Sequence, residues 1–258
     1  MRYWMLFLFM LVISAFSVAK VIPVATVDWC PQMCPGEDKP GYIIDILKTV
    51  YLDSEYELTF EAVPWSRGLK RTQKGDNVAM LAPSKRESPE LLFPTFSLGT
   101  QRMCLYTRAD SDWTYSDPQS LKGLQIGMAY DTQIEGISEY AQQHPDNFQM
   151  QPYLSRYFMQ NVGKLKKSRI DAFIYTYQST IWEARANGVE DDIRLAGCAP
   201  AEEIYIAFTA QPHKRELVNK LIQHFDQEYP NLVASGKVTA IMARYGLVTS
   251  DNNGPVAH

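Results

Sequence analysis

The sequence predicts an α/β protein of two units with a cleft between them. Three observations carry this. Short apolar β-branched runs alternate with helical stretches in two successive series, the pattern of parallel α/β units. Long extended segments near residues 100–108 and 203–210 separate the second series from the rest and read as two crossing strands. Helical periodicity alone then fills the end of the chain, so C-terminal residues complete the first unit.

In the first series, Val21 to Val27 reads as a buried strand, and Asp28 to Pro40 as a loop by its Pro and Gly content. A helix follows Gly41, with Ile43, Ile46, Leu47 and Val50 on one face. Tyr56 to Val63 alternates like a strand, Pro64 ends it, and Arg67, Lys70, Arg71 and Lys74 mark a surface helix. Trp65 sits on that strand-to-helix connection. It reads either as core or as a flat platform at a cleft mouth, where such turns gather ligands. Asn77 to Ala82 is a further short strand.

Leu91 to Arg108 is mostly extended, interrupted by Pro94 and Gly99, and Asp110 to Pro118 is a loop. The second series predicts a strand over 123–129, a helix over 132–143, and a strand over 148–153. A helix near 157–167, a strand over 169–175 and a helix over 178–187 follow. Residues 193–210 are extended around a turn at Ala199-Pro200. Leu217, Val218, Leu221, Ile222 and Phe225 form one terminal apolar face, and Val238, Ile241, Met242 and Tyr245 another.

The chain has 258 residues, a formal net charge of −4 and 46% hydrophobic residues, which permits one or two packed domains. Mild acidity argues against nucleic acid as a partner. The four His residues have no ligand spacing, so neither a metal site nor a His-based triad is expected, and no cofactor is implied. Arg2, the apolar run Trp4 to Phe16 and the small residues Ser17-Val-Ala19 read as a cleavable signal segment over 1–19. No Cys follows the cleavage point, so a soluble exported protein, not a lipoprotein, is expected.

Export places Cys30, Cys34, Cys104 and Cys198 in an oxidising compartment. Cys30 and Cys34 lie in a turn-prone stretch and can pair locally, which leaves Cys104 with Cys198. A zinc site is the competing reading, and needs all four thiolates to converge.

Several pieces, in order, resemble the periplasmic solute-binding proteins of the amino-acid-binding type. They are Gly41-Tyr-Ile-Ile-Asp-Ile, Pro64-Trp-Ser-Arg, Ser84-Lys-Arg then Leu92-Phe-Pro, Ser120-Leu-Lys-Gly-Leu-Gln-Ile-Gly, Ser168-Arg-Ile-Asp-Ala, and Ser235-Gly-Lys near Ala243-Arg-Tyr-Gly. The resemblance implies a two-lobed type II fold whose lobes close about a hinge. It assigns residues 20–105 and 206–248 to the first lobe, 106–205 to the second and 249–258 to a flexible tail.

It also implies a site. Trp29 and Trp65 match the aromatics that sandwich a ligand, though Trp29 can equally pack on the neighbouring Cys30–Cys34 bridge. Arg86 matches the carboxylate clamp, with Arg67 or Arg71 in reserve. Asp131-Thr132-Gln133 matches a turn at a helix N-terminus that donates backbone N–H groups; Asp131 alternatively caps that helix. Thr176 stands where relatives carry the Asp that holds an ammonium group, flanked by Tyr175 and Tyr177. That neutral position, opposite Arg86, predicts an anionic or neutral solute. The implied function is capture of a small solute by a monomer, for an ABC-type importer or a sensor. Two alternatives stand beside it. One is a dehydratase-like enzyme drawing on Asp131, Glu135 or Asp171, and the other is an interaction protein with an empty cleft.

Overall fold

The structure, a computed structural model, describes residues 19–247 except 35, 37, 131, 154 and 155. The expected signal segment, apart from Ala19, the expected tail, and Asp131 with its capping role lie outside the described residues.

The first lobe begins β1 (Lys20–Thr26), α1 (Tyr42–Val50), β2 (Tyr56–Ala62), α2 (Trp65–Lys74) and β3 (Ala79–Leu81). β1 runs parallel to both β2 and β3, as strands linked by helical crossovers do. The chain then crosses through β4 (Gly99–Gln101) into the second lobe. That lobe holds β5 (Met103–Arg108), β6 (Ile126–Ala129), α3 (Ile137–Gln143), β7 (Phe148–Gln151) and α4 (Tyr157–Lys166). It continues with β8 (Ala172–Thr176), α5 (Tyr177–Asn187) and β9 (Ile193–Cys198). The chain returns through β10 (Glu202–Ile204), and β11 (Ile206–Phe208), α6 (Arg215–Ala234) and α7 (Lys237–Arg244) complete the first lobe.

Among the described residues, the strands fall into three sheets. One has the order β11-β3-β1-β2, with β11 antiparallel, and another has the order β7-β6-β8-β5-β9. Between them, β4 and β10 pair with each other in a two-stranded sheet, Gly99 facing Ile204, and form the two crossing strands. The crossing is shorter and earlier than expected. All of Met103–Arg108 belongs to the second sheet, where it pairs with β8 and β9, so the lobe boundary falls ahead of residue 103 rather than after 105.

The C-terminal helices belong to the first lobe because their apolar faces have no other place to go. Val218, Leu221 and Phe225 of α6 and Val238, Ile241 and Met242 of α7 are buried with Ile43, Ile46 and Leu47 of α1. Each such side chain removed from water is worth about 1.5–3 kcal/mol.

The Cys30–Cys34 loop is tied to the start of α1. Trp29 and Met33 exchange backbone hydrogen bonds at 2.8 Å, and Cys30 and Cys34 form a disulfide. Two N–H groups of the first turn of α1, on Tyr42 and Ile43, donate to Pro31 and Gln32 carbonyls of the loop, replacing a side-chain cap. This close approach explains Gly41. It has φ 105°, and a Cβ there would lie 2.4 Å from the Gln32 carbonyl oxygen. The second disulfide, Cys104–Cys198, joins directly opposed residues of β5 and β9, so the thiolates do not converge for zinc.

One expected element changes. The helix predicted over 132–143 begins only at Ile137, because Gly136 takes φ 74° and interrupts it. No helix among the described residues is long and apolar enough to cross a membrane.

Candidate functional site

A cleft of about 730 Å³ lies between the lobes. The first lobe lines it with Val27, Asp28 and Trp29 beyond β1, with Ala62 to Trp65 between β2 and α2, and with Ala82 and Glu87 beyond β3. The second lobe adds Tyr130 and Thr132–Glu135 beyond β6 and Thr176 at the end of β8. These positions follow the carboxyl ends of parallel strands, where open α/β sheets leave a crevice. The crossing segments contribute Gln101, Pro200 and Glu202, and the start of β5 contributes Met103.

Trp65 forms the first turn of α2, with Pro64 before it. Pro64 fixes the entry into the helix and leaves the indole half-buried on the cleft wall. Its Nε1 donates to Glu87 Oε1 at 2.8 Å. Burial pushes the Glu87 carboxyl up to about 7, and the nearby Glu202 charge pushes the same way. The Trp65 donor, Arg86 and the Ser84 contact pull it down.

Trp29 also lines the cleft from the first lobe and is 6% exposed. Its Nε1 crosses between the lobes to donate to Thr176 Oγ1 at 2.9 Å. Thr176, buried, ends β8 and precedes α5. Two further contacts run alongside. Tyr42 Oη donates to Gln178 Oε1 at 3.1 Å, and the Gln32 amide and Ser179 hydroxyl are hydrogen-bonded at 3.2 Å. Trp29 therefore belongs to both readings offered by the sequence: it packs in the core beside the disulfide loop and lines the cleft.

The sequence-based site is brought together only in part. Trp29, Trp65, Thr132, Gln133 and Thr176 line the cleft, whereas Arg67, Arg86 and Tyr175 do not. The Arg86 guanidinium is committed to Glu202: its Nε donates to Glu202 Oε1 at 2.8 Å and a terminal nitrogen reaches the same oxygen. The clamp reading is corrected accordingly, since an arginine neutralised by a hinge carboxylate is not presented to a ligand. Arg67 is exposed on α2, and Arg71 pairs with Glu61.

Tyr175 is 5% exposed and packs behind the cleft among Tyr153, Tyr157 and Phe158, its hydroxyl bonded to that of Tyr153 at 3.2 Å. Tyr177 lies against the Arg102 guanidinium. The helix-terminus role of Thr132 and Gln133 is also corrected. They lie in a loop ahead of Ile137, where the Ser138 hydroxyl accepts from Ile134 N–H at 2.8 Å. Of the candidate acids, Glu135 lines the cleft, while Asp171 lies outside it and accepts from the Gln125 N–H at 2.8 Å.

The charge of the cleft differs from expectation. Among the described residues, Asp28, Glu87, Glu135 and Glu202 line it, and no Lys, Arg or His does. Sequence reasoning missed Glu87, Glu202 and Met103. In the irregular turn Ser84-Lys-Arg-Glu, no periodicity says which of Arg86 and Glu87 faces inward. Glu202 had a faint signal, a charge next to the turn at Ala199-Pro200 inside an extended stretch.

No protein-family model and no curated protein sequence matches the chain. Solved structures do. A histidine kinase sensor domain with similarity to periplasmic binding proteins superposes with TM-score 0.71 at 15% identity, covering 89% of this chain and 97% of that one. The chain has the two-lobed periplasmic-binding-protein fold. Two further neighbours share it at similarly low identity. ArgBP from T. maritima gives TM-score 0.69 at 16% identity, covering 88% and 95% of the two chains. An ABC uptake transporter substrate-binding protein from Streptococcus pneumoniae, with bound histidine, gives 0.70 at 14%, covering 91% and 94%. In this chain of periplasmic-binding-protein fold, the inter-lobe cleft occupies the place between the two sheets, and the hinge strands β4 and β10 border it.

Proposed function

We propose that the protein is an exported, non-catalytic receptor that captures a small polar solute between its lobes. It works as a monomer and presents its closed form to a membrane partner, an ABC-type importer or a sensor. The observation that carries this is the cleft itself. Its volume is in the range that holds a drug-sized ligand, and it is walled by two tryptophans from one lobe and by Thr132, Gln133 and Thr176 from the other. The two crossing strands supply a hinge about which such a cleft closes. The substrate-binding protein from Streptococcus pneumoniae with bound histidine supports capture for uptake, and the histidine kinase sensor domain supports signalling as the second outlet.

The expected preference for an anionic solute rested on Arg86, which is paired with Glu202. The lining favours a neutral or cationic solute instead. Native mass spectrometry of protein purified without dialysis tests the capture reading. A bound small molecule that is released on denaturation with its mass unchanged on reincubation supports it. Conversion of that molecule to a product contradicts it.

A further inference from the structure

Resting on the capture reading, we propose that the cleft selects a solute with a protonated amine or guanidinium on an apolar body, and that Glu87, positioned by Trp65, receives the cationic group. Four observations lead there. The lining carries carboxylates and, among the described residues, no basic side chain, so an anion entering the cleft finds no partner charge. Arg86, next to Glu87 in sequence, pairs with Glu202 instead. Glu87 lines the cleft, and its Oε1 is fixed by the Trp65 indole N–H at 2.8 Å, so the carboxylate is held in one orientation on the wall. The rest of the wall is largely apolar, with Val27, Val63, Met103, Ile134 and Pro200, which suits an apolar body rather than a polyhydroxylated one.

The pairing is chemically specific. The Trp65 indole N–H holds the carboxylate in place from the ring edge, so the attraction for a cation comes from Glu87 itself. A guanidinium or ammonium group supplies the hydrogen-bond donors that a carboxylate, an acceptor when ionised, requires. The α-carboxylate of an ordinary amino acid has no matching cation in this lining, so amines without that group bind best.

Binding is linked to pH. The charged groups around Glu87 are Glu202, from β10, and Arg86, from its own loop; Trp65 of α2 is neutral. Because burial raises the Glu87 carboxyl to about 7, the unliganded protein protonates it in mildly acid solution. A bound cation favours the ionised form, so binding releases a proton below that pH. Affinity for the cation then falls as pH drops below about 7, by at most tenfold per pH unit for one proton.

The test is a charge-matched panel: phenethylamine, tryptamine and agmatine, the alcohols phenethyl alcohol and tryptophol, and the carboxylates 3-phenylpropionate and indole-3-propionate. Each is screened by thermal shift, and each hit is titrated calorimetrically against the intact protein and Glu87→Gln. Glutamine still accepts from the Trp65 indole, so that variant keeps the wall in place. The inference expects amines to bind ahead of their alcohols, and carboxylates not to bind. It expects Glu87→Gln to weaken the amines at least tenfold at pH 8 and to abolish the decline in affinity between pH 7 and pH 5.5.

Carboxylates that bind as well as their amines overturn it, as does an amine whose affinity and pH profile are untouched by Glu87→Gln. A co-purified anionic solute overturns it too, while leaving capture intact. If no panel member of any charge binds and no solute co-purifies, capture itself fails.

Discussion

Trp29 Nε1 donates to Thr176 Oγ1 at 2.9 Å, joining the loop beyond the first strand of one lobe to the end of β8 in the other. Gln32 and Tyr42 reach Ser179 and Gln178 beside it, so one strip of the first lobe clasps the start of α5. Trp29 is thus a wall of the cleft and a latch between the lobes. Trp29→Phe keeps most of the ring and removes the donor. It should cost about 0.5–1.5 kcal/mol, the usual net worth of one hydrogen bond. Small-angle scattering of the solute-free variant should show a larger radius of gyration than the parent protein. An unchanged radius would show that the latch does not hold the lobes.

Trp29 and Trp65 should respond differently to truncation. Trp29 is almost fully buried in the first-lobe core, and Trp65 is half-buried on the cleft wall. Trp29→Ala should destabilise the protein by about 3–5 kcal/mol. Trp65→Ala should cost clearly less stability and weaken solute affinity by about 1–3 kcal/mol. Urea unfolding and calorimetric titration of both variants decide this. Equal losses of stability would place Trp65 in the core.

Stability should depend on pH through Glu87, with a sign opposite to that of an ion-paired carboxylate. Its folded pKa of about 7 lies above the ordinary 4.5. The group therefore stabilises the fold most below about 4.5, and that contribution is lost as pH rises toward 7. Glu87→Gln should remove this component between pH 4.5 and 7. Parallel stability curves for the two proteins across that window would contradict the burial of the carboxyl.

Arg86→Met should leave stability within about 1 kcal/mol, because the pair it breaks is partly solvent-exposed at 43% and 24%. By releasing Glu202, it should leave the affinity for an amine unchanged or tighter. Loss of amine affinity in this variant would restore Arg86 to the site. Likewise, Cys104→Ser with Cys198→Ser should cost more than replacing Cys30 and Cys34. The first bridge spans 94 residues and the second 4, and the closure entropy removed grows with loop length, to about 4.7 kcal/mol for a 100-residue loop.

The fold was legible where periodicity and punctuation agree. Ile43, Ile46, Leu47 and Val50 marked α1, and the alternation from Tyr56 marked β2. Cys30 and Cys34 were readable as a pair because their spacing is local. The start of α3 was misplaced although its signal was present: Gly136 lies inside the stretch read as helix, and its positive φ puts the helix start at Ile137. The site was less legible. Arg86 and Glu87 are adjacent in an irregular turn, and which one faces the cleft depends on Glu202, 116 residues beyond Arg86 and brought close by the return crossing. Side-chain direction in such turns is set by tertiary contact rather than by local pattern.

The most direct test of capture between the lobes is fluorine NMR of protein labelled with 5-fluorotryptophan, with Trp65 and Trp29 assigned by single substitutions. Trp113 serves as the internal control, because its Nε1 is bonded to the Ser120 carbonyl at 3.2 Å, away from the cleft lining. On addition of a solute shown by calorimetry to bind, the Trp65 and Trp29 resonances should shift in proportion to occupancy while that of Trp113 stays in place. Saturating binding with Trp65 and Trp29 unmoved would contradict the account.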